Sequence, residues 1–109
     1  MFPKFEDSTF PEMTKDKPQI ERDINETCSR MTEFLIEKNR RYGSSAFEPL
    51  RIFAGASSDE QILIRIDDKL SRIKNATELK INDVVDLTGY LLLYITVREW
   101  ADKIKEMID

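Results

Sequence analysis

Residues 38–45 read KNRRYGSS and bring together Lys38, Arg40, Arg41, the ring of Tyr42, Gly43 and the hydroxyls of Ser44 and Ser45. Ammonium and guanidinium groups pair with phosphate oxygens, and a flat ring stacks on a base. Two further stripes extend this chemistry. RIDDKLSR sets Arg65, Asp68, Lys69 and Arg72 at i, i+3, i+4 and i+7, one narrow face of a helix, while Asp67 points elsewhere. NDVVDLTGY sets Asp83, Asp86 and Tyr90 at i, i+3 and i+7, and the same line runs on through Tyr94, Val97 and Ala101. A polar line that continues into apolar residues is expected to face inward.

Each set has a structural use beside the functional one. Lys38, Arg40 and Arg41 fall in the last turn of a helix, where cations complement the macrodipole. The basic and acidic stripes fit three uses. They pair with each other as a network; or Asp68, Asp83 and Asp86 hold a divalent ion near ligand phosphates; or the aspartates orient the cations toward phosphate oxygens. Arginine suits the last use, because its planar fork matches a phosphate edge.

Composition narrows the chemistry. The chain has no histidine, which excludes Ser-His-Asp and Cys-His nucleophile systems. With Cys28 as its one cysteine it has no internal disulfide, a poor donor set for zinc, and the character of a reducing compartment. Carboxylate-held magnesium stays open. No run of eighteen apolar residues is present, so no membrane span is expected. MFPKFEDSTFPEM lacks the apolar centre of a secretory signal, and the expected location is the cytoplasm.

The formal net charge is −4, which argues against general nucleic-acid binding. It is unevenly spread: residues 1–37 carry −4, residues 38–80 carry +3 and residues 81–109 carry −3. The basic excess begins at KNRRYGSS, where it suits a small anionic ligand or complements the neighbouring acidic segments.

The elements that must position these groups are helical. Pro3, Pro11 and Pro18, with Phe2, Phe5 and Phe10 between them, mark residues 1–18 as an arm that lies on another surface. Ile20, Ile24, Cys28, Met31 and Leu35 predict a first helix over about 19–41, stopped by Gly43. Residues 42–58 form a long connection with a short helical turn at Pro49–Ala54, packed by Phe47, Leu50, Ile52 and Phe53. A second helix is predicted over about 59–75, with Ser58 and Gln61 as a capping box and Ile62, Leu63, Ile66, Leu70 and Ile73 as its apolar face. NATELKIN is a turn ended by Asn75 and Asn82, and a third helix follows over about 83–107. Its centre, LTGYLLLYITV, is apolar nearly all round and so must be covered all round. The expected fold is an all-α bundle of three main helices in one domain, residues 19–109, that forms a homo-oligomer through the third helix.

Three ordered segments, KNRRYGSS, RIDDKLSRIKN and INDVVDLTGYLLLY, resemble the nucleotide modification associated domain type 1 family of small phage and bacterial proteins. The resemblance spans roughly residues 34–98 and rests on Lys38, Asn39, Tyr42, Gly43, Arg65, Asp68, Lys69, Arg72, Asp83, Asp86 and Tyr90. It implies a link to nucleotide metabolism or DNA modification and a phage origin. It also implies a more distant similarity to all-α nucleotide pyrophosphohydrolases of the MazG type. Those carry a Glu-Glu-x-x-Glu segment where this chain has Asp67-Asp68-Lys69, so one acidic position is replaced by cations.

Three functions follow as expectations. The first is a cytoplasmic nucleotide-binding protein of the bacterial host cell, one form of which sequesters a nucleotide-derived immune signal and needs no cofactor. Its ligand-binding residues are Lys38, Asn39, Arg41, Tyr42, Gly43, Ser44, Ser45, Arg65, Lys69, Arg72 and Tyr90. The second is a Mg²⁺-dependent nucleotide pyrophosphohydrolase with Asp68, Asp83 and Asp86 as metal ligands. The third is an interaction protein with structural stripes and a phenylalanine arm that recruits a partner.

Overall fold

The structure, a computed structural model, describes residues 4–5, 15–42 and 57–108. These residues are predominantly helical: α1 spans Lys17–Arg41, α2 Ser58–Asn75, α3 Ile81–Val97, and a 3₁₀ helix covers Ala101–Met107. Two short strand segments, β1 at Lys4–Phe5 and β2 at Glu78–Leu79, pair in parallel, Lys4 opposite Glu78 and Phe5 opposite Leu79. The rest of the phenylalanine arm and the 43–56 part of the long connection lie outside the described residues.

α1 begins two residues before the expected start. Asp16 is its N-cap and accepts a 2.8 Å bond from the Gln19 backbone N–H. Pro18 therefore lies inside the first turn, where a missing N–H costs nothing because that donor has no helical partner. α2 also starts early. Its N-cap is Ser57, one residue before the expected Ser58, and the Ser57 hydroxyl donates to Asp59. Asn82, expected to end the turn, instead sits in the first turn of α3.

α2 and α3 form an antiparallel hairpin. Arg98 at the end of α3 bonds Asp59 at the start of α2 at 3.2 Å, and Lys69 bonds Asp86 at 3.0 Å nearer the turn. Among the described residues the buried apolar side chains belong to α2: Ile62, Ile66 and Ile73. Each contributes about 2 kcal/mol of transfer free energy. Leu63 and Leu70, expected on the same face, are exposed. The inward line is Ile62, Ile66, Lys69, Ile73, a 4-3-4 spacing, so Lys69 occupies a seam position that sequence reading gave to leucine.

α1 contributes no buried residue. It approaches α3 at Gly89, where an added Cβ would stand 3.0 Å from Leu35 Cδ2 and 3.9 Å from Phe34 Cε2. Ile24 and Cys28, expected on its buried stripe, are exposed. At 25 residues α1 is longer than α2 or α3, and Gly89 meets only its C-terminal half, from Met31 onward.

The third helix ends at Val97, ten residues before its expected end. A Schellman motif stops it. The Trp100 N–H bonds the Ile95 carbonyl and the Glu99 N–H bonds the Thr96 carbonyl, both at 3.0 Å, with Glu99 at φ 58°. Trp100 folds back edge-on to Tyr94, with ring centroids 5.7 Å apart, the apolar contact that goes with this cap. Ala101 thus leaves the face it was expected to share with Tyr94.

Candidate functional site

Three cavities with shared lining residues follow the helices. The first, about 440 Å³, lies between the C-terminal end of α1 and the middle of α3 and reaches Arg65 on α2. Phe34, Tyr42 and Tyr90 supply rings, Leu35, Gly89 and Leu93 an apolar floor, and Lys38, Asn39, Arg65 and Asp86 polar edges. Its volume is within the range of small-molecule pockets. The small side of Gly89 is what lets α1 approach and close that floor.

The second cavity, about 450 Å³, is lined by Arg65, Asp68, Lys69, Arg72 and Tyr90. All four polar members of the α2 stripe thus share one surface, as their spacing predicts. Arg65 and Tyr90 belong to both cavities. The third, about 310 Å³, sits at the α2–α3 turn between Arg72, Asn75, Ala76, Lys80, Asn82 and Asp83.

Asp86 holds these parts in register. One carboxylate oxygen lies 3.0 Å from Lys69 Nζ and the other 3.6 Å from Lys38 Nζ, so a single side chain of α3 ties α2 and α1 to it. The Lys69 side chain is 14% exposed and that of Asp86 21%. Lys38 also stands over the Phe34 ring, 4.9 Å from its centroid. Asp83, 8% exposed, is buried in the first turn of α3, where a carboxylate is favoured by the helix dipole.

The structure brings together Lys38, Asn39, Tyr42, Arg65, Lys69, Arg72 and Tyr90 from the expected set. It does not bring Arg41, which turns along α1 to an ion pair with Glu37 at 3.0 Å. Gly43, Ser44 and Ser45 lie outside the described residues. Asp68, Asp83 and Asp86 each face a different surrounding: Asp68 opens on the second cavity, Asp83 on the third, and Asp86 is engaged by two ammonium groups. Among the described residues no group of three or more carboxylate, histidine or cysteine ligands converges to hold a metal ion. The three aspartates therefore do not fit a shared Mg²⁺.

Sequence reading missed Phe34, Leu35, Gly89 and Leu93 as cavity residues. A signal existed for one of them: a glycine inside an otherwise apolar helix marks a close approach. No protein-family model, curated protein or solved structure matches the chain.

Proposed function

We propose that the protein binds a nucleotide-type ligand. The observation that carries this reading is the junction at Arg65 and Tyr90, which line both a cavity walled by three aromatic rings and a second one with three cations on its wall. A nucleotide has the same two halves, a flat apolar base and an anionic phosphate. Tyr42 and Phe34 would stack on the base, with Asn39 at its polar edge. Arg65 and Arg72 would meet phosphate on either side of Lys69. The resemblance of the three sequence segments to the nucleotide modification associated family supports the same class.

Binding is favoured over hydrolysis because Asp86 is held between Lys38 and Lys69 and does not join Asp68 and Asp83 around an ion. A binder that retains its ligand unchanged is the form that would sequester a nucleotide signal. The deciding experiment is a thermal-shift screen against nucleotides, with and without Mg²⁺, followed by chromatography of the ligand. A ligand at 100 times its dissociation constant stabilises by about 2.7 kcal/mol. Tyr90→Ala should lose most of that shift. If no nucleotide stabilises the full chain, the reading fails. Turnover with Mg²⁺ that Asp86→Asn abolishes would favour the pyrophosphohydrolase.

A second copy of the chain is proposed to cover α3. Val84, Leu91 and Leu92 are exposed, and Leu91 shows 47% of its surface. Thr88 and Thr96 turn their hydroxyls back to the Val84 and Leu92 carbonyls at 2.8 and 2.9 Å, which satisfies them without water. That face suits burial between subunits. Sedimentation should show an oligomer that Leu91→Glu with Leu92→Glu dissociates; a monomeric parent protein refutes the proposal.

A further inference from the structure

Arg65 and Arg72 stand seven residues apart on α2, and both line the second cavity. At 1.5 Å of rise per residue their backbones are about 10 Å apart along the helix. Among the described residues neither guanidinium makes an ion pair. Asp68 lies three residues from one and four from the other, spacings that allow pairing, yet it pairs with neither. Between the two arginines, Lys69 is already committed to Asp86 at 3.0 Å. The surface thus offers two separate free cations with a carboxylate and a neutralised ammonium between them. A single phosphate shared by both arginines would sit midway and face the Asp68 carboxylate, whereas separated phosphate charges can meet the arginines one each.

The ends of this track also differ. Arg65 is shared with the aromatic cavity, and Arg72 with the polar cavity that contains Lys80, Asn75 and Asn82. A base in the first cavity places its nearest phosphate at Arg65. Further phosphates run toward Arg72 and Lys80.

We infer that the site takes a nucleotide with two or more phosphate groups strung along it, and discriminates against nucleoside monophosphates. This rests on the nucleotide reading above and specifies its ligand. The shared chemistry is a base followed by separated phosphate charges, and two sources supply it: a nucleoside di- or triphosphate, or a dinucleotide whose second nucleoside enters the third cavity.

Isothermal titration of the full chain at one fixed salt concentration tests this, because screening alters such contacts. The probes are a nucleoside mono-, di- and triphosphate of each common base, and phosphate-linked dinucleotides. Affinity should rise at least about tenfold from mono- to diphosphate, since a charge-assisted contact is worth about tenfold to a hundredfold. Arg72→Ala should remove that gain and leave monophosphate binding within about twofold. Arg65→Ala should weaken every ligand. Both arginines are exposed, so unchanged melting of the free variants shows that the fold is kept. Tighter binding of dinucleotide than of triphosphate identifies the second source, and the reverse identifies the first. Monophosphates that bind as tightly as triphosphates, or an Arg72→Ala variant that weakens all ligands equally, would overturn the inference while the nucleotide reading stands. Absence of binding by every probe overturns both.

Discussion

Removing the Asp86 carboxylate should destabilise the protein far more than removing any surface acid. Lys69 lies on the inward line of α2, between Ile66 and Ile73, and Asp86 is the carboxylate that meets its ammonium, at 3.0 Å. In Asp86→Ala that largely buried ammonium loses the carboxylate it pairs with. Removal of one partner from a fully buried pair costs about 3–5 kcal/mol. The pair here is 14% and 21% exposed, so some water reaches it and the cost falls below that range, to about 2–3 kcal/mol. That is a large share of the total for a chain of this size.

Urea denaturation followed by circular dichroism measures the effect, as a lower midpoint at unchanged slope. Two comparisons fix its origin. Glu37→Ala breaks the exposed pair to Arg41 and should change stability by under about 0.5 kcal/mol. Lys69→Met combined with Asp86→Leu removes both charges and should return to within about 1 kcal/mol of the parent. If Asp86→Ala costs no more than Glu37→Ala, Lys69 is solvated in the folded state and its place in the seam is refuted.

The remaining predictions concern other joints of the fold. Gly89→Leu should push Leu35 and Phe34 off α3 and abolish ligand-induced stabilisation while helical content persists; retained ligand binding in titration would refute the assigned cavity floor. Glu99→Gly should stabilise by about 1 kcal/mol in denaturation, because a left-handed φ strains a side chain and not glycine. The hydrogen bond from Ser57, with further bonds from backbone N–H groups and Arg98, holds the Asp59 carboxyl below the usual carboxylate range. A lowered folded-state value means that Asp59 stabilises above its unfolded value and loses that contribution as pH falls through the folded value, below about pH 4. Melting temperatures of Asp59→Asn should therefore fall less steeply than the parent's in that acid range.

Much of the frame was legible in the residues. Apolar spacing located all three main helices, and the i, i+3, i+4, i+7 spacing of Arg65, Asp68, Lys69 and Arg72 correctly gave them one surface. The stop at Val97 was not legible for a physical reason. A Schellman cap announces itself by glycine at the left-handed position, and here that position is Glu99. The 78–79 strand was equally hidden, since its pairing partner is Lys4–Phe5, more than seventy residues away. The pairing of Arg41 with Glu37, one turn back on the same helix, follows from their i, i+4 spacing and turns the guanidinium along α1.

The displacement of Lys69 into the seam has the widest consequence. By hydropathy Leu70 belongs inside and Lys69 outside, yet Leu70 is exposed and Lys69 is not. The tertiary partner decides this. If α2 rotated to bury Leu70, Asp86 would lose Lys69, the closer of its two ammonium partners, and keep only the 3.6 Å contact to Lys38. The same rotation would carry Arg65 and Arg72 off the cavity wall, because they flank Lys69 on the helix. The Lys69–Asp86 pair therefore fixes the helical phase that presents both arginines to the groove. It follows that Asp86→Leu, which breaks the pair but keeps the Lys69 charge, should weaken nucleotide binding about as much as Lys69→Met does. Binding that Lys69→Met weakens and Asp86→Leu leaves unchanged would confine Lys69 to supplying charge and leave the phase of α2 to Ile62, Ile66 and Ile73.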